Sequence, residues 1–209
     1  MLKKASCKIC RRLGQKVFLK GEKCLSPKCP FIKRPYAPGP KKKRTTGHLS
    51  EYGKQLREKQ KIKFYYGLRE TQFKNYVKDI LKKRSKMSDS TQTLLKKLER
   101  RLDNVIFRLG FARSRAQARQ MVSHSYFLVD GKPVNIPSFL VKPNMVISFK
   151  ESKKTKTLIK NLSSLLKNYQ PPQWLRLDKE KMEGHILSEP DASEMQDSDI
   201  SAVFEFYAK

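Results

Sequence analysis

The sequence has few acidic residues, few histidines and no long apolar segment. Its 209 residues include 19 Asp and Glu against 47 Lys and Arg, with three His and one Trp. No apolar run approaches the roughly 18 to 20 residues that cross a bilayer, and no hydrophobic signal-peptide core precedes Cys7. The single Trp174 follows two prolines and does not lie on a long amphipathic helix, which disfavours a membrane-surface protein. We therefore expect a cytoplasmic protein with no membrane partner.

The usual catalytic motifs are also absent. The sequence has no GxGxxG or GxxxxGK[ST] loop, no HExxH and no GxSxG. The three histidines, His48, His124 and His185, occur in unrelated contexts. His124 lies between two serines, but the end of a basic helix favours contact with a phosphate or a 2′-hydroxyl over catalysis. The sequence predicts that the chain is not an enzyme and has no small-molecule substrate.

Positive charge is what the sequence has in excess, with a formal net charge of +28. Residues 1–177 carry 44 Lys and Arg and 10 Asp and Glu, a net charge of +34, whereas residues 178–209 carry 3 and 9, a net charge of −6. Such a charge opposes compaction unless a polyanion is bound, and nucleic acid is the favoured partner. We expect the acidic end to point away from it.

All four cysteines lie within the first 29 residues, as Cys7-x2-Cys10-x13-Cys24-x4-Cys29. Two close pairs of thiolates can surround one Zn²⁺ tetrahedrally, and the nearby Lys and Arg should lower the thiol pKa values. The alternatives are two disulfides, which a reducing compartment disfavours, or four ordinary thiols. Glu22 is the only acid in the first 50 residues, so the cluster predicts one structural zinc without a catalytic role.

A basic arm follows the cysteines over residues 31–47. Its prolines, Pro35, Pro38 and Pro40, prevent regular helix, and the run 41–44 is wholly basic. It is either a solvated linker or, with a polyanion present, a strip that neutralises several phosphates, and we favour the second.

The next segments carry helix signals. Ser50 is typical of the N-cap of a helix over 51–66 that ends at Gly67, and apolar residues at helical spacing predict a second helix near 73–81. A continuous apolar stripe predicts one helix over 91–110.

A capping box at Ser114 and Gln117 then begins a short helix that runs to His124. The two helices joined near residue 111 should cross as a tight helical corner, with the basic side chains of the second helix facing outward.

A small antiparallel sheet is predicted after this corner. Asp130-Gly131 favours a type I′ hairpin, and further short strands are expected at 139–141 and 146–149. A last helix is expected near 158–166, and the alternation over 203–207 is typical of a strand.

The predicted class is α+β, with a mostly helical, zinc-bearing N-terminal domain and an inserted RNA-binding module. The segments are a zinc-binding segment with the basic arm (1–49), a basic helical domain (50–98), the module of helical corner and sheet (99–163), and a C-terminal segment that packs back on the helical domain (164–209).

The order of motifs in the module resembles a known family. The run RLDNVIFRLGF at 101–111, SRAQARQMVSH at 114–124 and Val-Asp-Gly at 129–131 resemble the RNA-binding module of bacterial small-subunit ribosomal protein four. The resemblance extends to Leu56–Lys61, Gln72–Tyr76 and Trp174–Leu175, and the cysteine spacing is similar to that of the zinc-binding branch.

This resemblance implies a primary binder of 16S ribosomal RNA that holds a multi-helix junction of the 5′ domain and nucleates assembly of the 30S body. It also implies contact with small-subunit ribosomal protein five, which bears on translational accuracy, and with messenger RNA where it enters the subunit. Repression of translation of its own messenger RNA is known within the family. The arm at 37–44 departs from the Gly-Gln-His-Gly run that family members often carry.

RNA junctions are recognised through phosphates, 2′-hydroxyls and shape, so cations, polar side chains and one stacking ring are the expected contacts. In the N-terminal half these are Lys41, Lys42, Lys43, Arg44, Tyr52, Arg57, Lys59, Lys63 and Arg69. In the corner and hairpin they are Arg101, Arg108, Arg115, Arg119, Gln120, His124 and Lys132. An RNA-modifying enzyme and a zinc-dependent transcription regulator are the alternatives.

Overall fold

The computed structural model describes residues 7–39, 49–82, 87–154, 159, 162, 166, 168–190 and 199–208. The chain divides into two units, one of residues 1–94 with 193–209 and the other of residues 95–192. Helices and one antiparallel sheet make up the described part, which agrees with the predicted α+β class. The predicted C-terminal segment 164–209 is shared between the units. None of the helices in the ranges just given has the length and apolar character to cross a membrane.

The first unit begins with three short helices, α1 (Cys7–Leu13), α2 (Glu22–Leu25) and α3 (Pro30–Lys33). Pro30 occupies the start of α3, where its missing N–H would have no partner in the helix anyway. Leu13 and Val17 are buried in a small apolar cluster, with Phe31 packed against it.

Two longer helices follow, α4 (Glu51–Tyr65) and α5 (Glu70–Leu81). The predicted N-cap is confirmed, because Ser50 Oγ accepts a hydrogen bond of 3.2 Å from the Gly53 N–H. Gly67 ends α4 with a φ of 62°, as predicted. Phe73, Val77 and Ile80 form the buried face of α5.

A last helix in this unit, Ser201–Ala208, packs against α4 and α5 and is called α10 here. The strand predicted over 203–207 is therefore wrong. Asp199 Oδ1 accepts from the Ala202 N–H at 3.1 Å and the Ile200 carbonyl accepts from Val203, so the first turn is capped. Burial of Val203 and Phe204 outweighs the alternating pattern.

The predicted continuous helix over 91–110 is wrong, because the chain forms α6 (Met87–Glu99) and α7 (Leu102–Arg108). Arg101 has extended backbone, with φ −67° and ψ 135°, and pairs with Leu140 as an isolated antiparallel bridge. The Leu102 N–H donates to the Phe139 carbonyl at 2.8 Å. Backbone bonds to the segment 139–141 thus replace those of a continuous helix.

The helical corner consists of α7 and α8 (Arg115–Ser123), which pack on each other. Gly110 ends α7 with a φ of 81°, as predicted. Ser114 Oγ accepts from the Gln117 N–H at 3.3 Å, and Gln117 Oε1 accepts from the Arg113 N–H at 2.9 Å. The capping box is confirmed, with its second bond going to the residue before the N-cap.

The sheet has five antiparallel strands in the order β2-β1-β3-β5-β4. They are β1 (Phe127–Val129), β2 (Lys132–Pro133), β3 (Val146–Phe149), β4 (Leu175–Asp178) and β5 (Glu183–Ile186), with a short helix α9 (Glu151–Lys154) after β3. The hairpin prediction is confirmed, since Asp130 and Gly131 have φ values of 48° and 76°. The strand predicted at 139–141 is wrong, since only Leu140 pairs, in the bridge to Arg101.

The core of the second unit lies between the sheet and the helical corner. The rings of Phe111, Phe127 and Phe149 pack with centroids 4.8–6.2 Å apart. A Cβ on Gly184 of β5 would lie 2.3 Å from Leu109 Cδ1, so this glycine allows the corner to approach the sheet closely. Ile159, Leu162 and Leu166, from the last predicted helix of the module, are buried in the same core.

Candidate nucleic-acid interface

The four cysteines all lie in the described part of the first unit, and three of them, Cys10, Cys24 and Cys29, are buried. None of them forms a disulfide. The Lys20 N–H points at Cys24 Sγ across 3.3 Å, a contact that suits a thiolate. Within the described residues, no group of three or more Cys, His, Asp or Glu side chains is close enough to hold a metal ion.

The pKa of the Cys10 thiol does not follow the simple expectation from nearby basic residues. Burial raises the pKa of Cys10, against the effect of a hydrogen bond from the Val17 backbone, and the other three cysteines raise it further. The predicted lowering by Lys and Arg is therefore wrong for this thiol, because desolvation dominates. The sulfur donor set and the backbone N–H groups directed at Cys10 and Cys24 fit a zinc ion.

Lys59 and Lys63 on α4 both bind a single carboxylate on α5. Their Nζ atoms lie 2.7 and 2.8 Å from Glu70, which also accepts from the Tyr207 hydroxyl at 2.9 Å. The Lys59 side chain is only 7% exposed, and its ammonium lies 4.1 Å from the centroid of the Phe206 ring. These two predicted RNA contacts help to hold α10 in place.

Arg57 joins α4 to α1. Its Nε donates to the Leu13 carbonyl at 3.0 Å, and its Nη2 makes a second bond to the same oxygen. A cation at the C-terminal end of a helix is favourable because the last carbonyls carry partial negative charge. A Cβ on Gly14 would lie 2.6 Å from this guanidinium, so the glycine makes room for it.

The other predicted contacts in this unit are more open to solvent. Arg69 is exposed at the start of α5. Tyr52 is 58% exposed, and its ring lies 5.4 Å from that of Phe206. The run from Lys41 to Arg44 lies outside the described residues.

In the second unit, Arg101 and Arg119 share one buried carboxylate, that of Asp103. Arg101 donates from Nε at 3.1 Å and from Nη2 at 2.9 Å, and Arg119 donates from Nε at 2.9 Å. The Arg101 side chain is 1% exposed, which removes it from direct contact with a large partner, whereas that of Arg119 is 21% exposed.

Glu99 is the second buried carboxylate. It accepts from Arg108 Nε at 3.2 Å and Nη2 at 3.0 Å, and from Asn104 Nδ2 at 2.6 Å. Asn104 in turn accepts from Arg115 Nε at 2.7 Å. The Arg115 guanidinium also lies 4.5 Å from the centroid of the Phe107 ring. Arg108 and Arg115 are therefore held in fixed orientations.

Comparison with known proteins shows which protein family has this sequence and arrangement. The profile of the ribosomal protein S4/S9 N-terminal domain matches residues 1–99, and that of the S4 domain matches residues 100–147. A small ribosomal subunit protein uS4 of Thermoanaerobacter sp. (strain X514) is 51% identical over 190 residues, which span 88% of this chain and 87% of that protein. The uS4 of Thermodesulfovibrio yellowstonii is 47% identical over 97% of this chain and 96% of its own, and that of Thermotoga petrophila is 44% identical over the same shares.

The chain belongs to the uS4 family of ribosomal proteins. The family resemblance read from the motifs is thereby confirmed, as is the prediction that the chain is not an enzyme. The S4 domain match covers α7, α8 and the first three strands, apart from the last two residues of β3.

The remaining predicted contacts in the S4 domain are exposed. Gln120 lies on α8, His124 caps its C-terminal end, and Lys132 lies in β2 at the edge of the sheet. In the S4 domain of this uS4 family member, the structure thus separates the predicted residues into exposed ones and arginines bound to Asp103, Glu99 or Asn104. Contact with RNA remains a prediction for the exposed and partly exposed residues, whereas Arg101 is buried.

Reasoning from the sequence missed Glu99, Asp103 and Asn104 as partners of the arginines. Their signal was present, because Glu99 and Asp103 are acids next to the apolar positions of a strongly basic uS4 segment. An acid at such a position is rarely buried unless it is paired. The prediction considered only which cations could reach RNA and left out what holds them.

Proposed function

We propose that this uS4 family member is a structural constituent of the small ribosomal subunit and binds 16S ribosomal RNA. The observation that carries the proposal is its 44–51% identity, along at least 87% of both chains, to proteins named as small ribosomal subunit proteins. The net charge of +34 over residues 1–177 supports it, because phosphate contacts supply much of the affinity for RNA.

The family resemblance supports a more detailed proposal. We propose that the chain holds a multi-helix junction of the 16S 5′ domain, nucleates assembly of the 30S body and contributes to translational accuracy through contact with small-subunit ribosomal protein five. Contact with messenger RNA where it enters the subunit, and repression of its own translation, belong to the same proposal. Fixed arginines in a rigid corner support it, because a rigid cationic surface can hold RNA helices in one relative arrangement.

We also propose one structural zinc ion on Cys7, Cys10, Cys24 and Cys29. Bound zinc would keep the thiols deprotonated and fix the loops that carry them. Three buried sulfurs in one small segment support this assignment. Elemental analysis of protein purified under reducing conditions should find one zinc per chain, and a Cys24→Ser variant should contain much less. Wild-type protein without zinc would contradict the assignment.

RNA binding is tested by measuring the affinity of the full chain for a transcript of the 16S 5′ domain as the salt concentration rises. If six to ten phosphates are neutralised, affinity should fall by about 10³- to 10⁵-fold between 50 and 200 mM salt. Lys132→Gln should lower the slope of log affinity against log salt by about one.

The matched control is Lys78→Gln, which removes an exposed cation of α5 where no RNA contact is predicted. It should leave that slope unchanged. A flat salt response of the wild-type protein would overturn the proposed mechanism of binding. Co-sedimentation with small subunits at rising salt tests the assembly itself, and loss of the protein at low salt would contradict a structural role.

A further inference from the structure

Two carboxylates in the second unit lie in an environment that ordinarily excludes them. Glu99 and Asp103 are 2% and 3% exposed, although burial of an unpaired carboxylate costs several kcal/mol. Replacing buried ion pairs by apolar side chains is often neutral or stabilising, so stability alone does not account for their presence. Their arrangement points to a role in what the arginines do.

Each carboxylate accepts hydrogen bonds from two nitrogen atoms of one guanidinium and so fixes its orientation. Arg119 reaches Asp103 from both Nε and Nη2, at 2.9 and 2.5 Å, and Arg108 reaches Glu99 from the same two atoms, at 3.2 and 3.0 Å. Two donors from one planar guanidinium define its orientation, whereas a single contact leaves it free to rotate.

The two signs of charge differ in their exposure. The side chains of Arg119 and Arg108 are 21% and 17% exposed, whereas those of Asp103 and Glu99 are 4% and 3% exposed. The acids thus lie beneath the arginines. Arg101 and Arg119 bind Asp103, and Arg108 binds Glu99. A partner that approaches from solvent meets oriented cations before it meets an acid.

We propose that Asp103 and Glu99 are positioning residues for RNA binding, which hold Arg119 and Arg108 so that their outer edges meet RNA phosphates. This inference rests on the proposed function and adds to it which arginines are oriented and by what. It leads to a prediction that net charge alone would not give. Removal of a negative charge should weaken binding to a polyanion, because the orientation of the arginine counts for more than the added net charge.

Asp103→Asn tests this prediction in the full chain, with a transcript of the 16S 5′ domain as the probe. Asparagine keeps the shape but presents an NH₂ group where one carboxylate oxygen met guanidinium N–H groups. We expect affinity to fall about tenfold, which is the order of one lost charge-assisted hydrogen bond. The slope of log affinity against log salt should fall by about one, as for a lost phosphate contact.

Glu151→Gln is the matched control for charge. Glu151 is 83% exposed and pairs only with Lys154 among the contacts that the structure describes for it, so its loss changes net charge by the same amount without releasing a buried arginine. We expect its affinity to stay the same or to rise slightly. If Asp103→Asn behaved like Glu151→Gln, the positioning role would be refuted while the wild-type salt response still supported the proposed function.

A double-mutant cycle separates positioning from a loss of folding. If Asp103 acts through Arg119, Asp103→Asn should cost little more once Arg119→Gln is present. Additive losses would overturn the inference. If Asp103→Asn fails to fold, Arg119→Lys keeps the charge on a partly exposed residue but loses the two-donor geometry. It should then bind about fivefold to tenfold more weakly with an unchanged unfolding midpoint, and wild-type affinity would count against the inference.

Discussion

Glu70→Gln should destabilise the first unit at neutral pH and remove part of its sensitivity to acid. The Glu70 carboxylate accepts from Lys59, Lys63 and Tyr207, and so it joins α4 and α10 to its own helix, α5. Burial acts to raise the pKa of Glu70, but the hydrogen bonds from the two lysines and the tyrosine outweigh it and lower the pKa to about 2. Burial and the same carboxylate raise the pKa of Tyr207.

The size of the effect follows from this pKa. A fall from 4.5 to about 2 corresponds to about 3 kcal/mol, at about 1.4 kcal/mol per unit. The Glu70 side chain is 44% exposed, so solvent screening reduces the expected contribution to about 1–2 kcal/mol. Because the pKa is lower in the folded state, this stability is fully present above pH 4.5 and is lost as the pH falls toward 2.

Urea unfolding followed by far-UV circular dichroism measures this contribution at several pH values. The difference in free energy of unfolding between wild type and Glu70→Gln should be about 1–2 kcal/mol at pH 7 and should shrink below pH 4.5. Taking the difference between the two proteins cancels the contribution of every group that titrates alike in both. The only tryptophan, Trp174, is buried in the second unit, and its fluorescence should report an unchanged transition.

Glu51→Gln is the control, because Glu51 lies on the same pair of helices but is 74% exposed and pairs with Lys54 three residues along. It should cost no more than about 0.5 kcal/mol. The reasoning would be refuted if Glu70→Gln were as stable as wild type at pH 7, or if its deficit were the same at pH 3 as at pH 7.

Two further changes test the second unit, both by thermal unfolding with Trp174 fluorescence. Gly184→Ala should destabilise by about 1–3 kcal/mol, because its Cβ would overlap the buried Leu109 side chain. Leu109→Ala should cost less stability in the Gly184→Ala protein than in the wild type, because the shorter side chain leaves room for the new methyl group. Ser114→Ala should cost about 1 kcal/mol through loss of the hydrogen bond to the Gln117 N–H, and Ser114→Asp should restore most of it; equal stability of all three proteins would show that the cap contributes nothing.

Local signals in the sequence were sufficient for much of the fold. Ser50, Gly67 and Gly110 act at the ends of helices through bonds to their near neighbours, and Asp130-Gly131 forms a turn that only a few residue pairs favour. These features depend on a few consecutive residues. Periodicity and turn chemistry therefore place them correctly.

The errors arose where distant segments decide the structure. The apolar stripe over 91–110 gives no sign of the break at Arg101, because the Leu140 backbone that pairs with it is almost 40 residues away. The alternation near Val203 is typical of a strand, but capping by Asp199 and packing on α4 favour helix. Strands β4 and β5 were missed because each has only four residues, and β3, the other partner of β5, is distant in sequence.

For the candidate site, the sequence identified cations but could not say which of them had acids nearby. In the sequence, Lys59, Arg101 and Arg69 are all basic residues with nothing to tell them apart. In the structure, Lys59 and Arg101 are buried against carboxylates and Arg69 is exposed. The sequence thus predicts the kind of partner more securely than the individual contacts. Charge is a sum over the chain, whereas burial depends on the fold.

The place of α10 in the first unit has a consequence for synthesis of the chain. α10 covers α4 and α5, but it is made about 120 residues after α5 ends. At a translation rate of about 5–20 residues per second, α10 is synthesised about 6–24 s after α5. During that time Phe73 lacks its contact with the Tyr207 ring. The second unit is continuous in sequence and can fold within that interval. The unit that begins first is therefore completed last, and during translation its apolar face is open to chaperones.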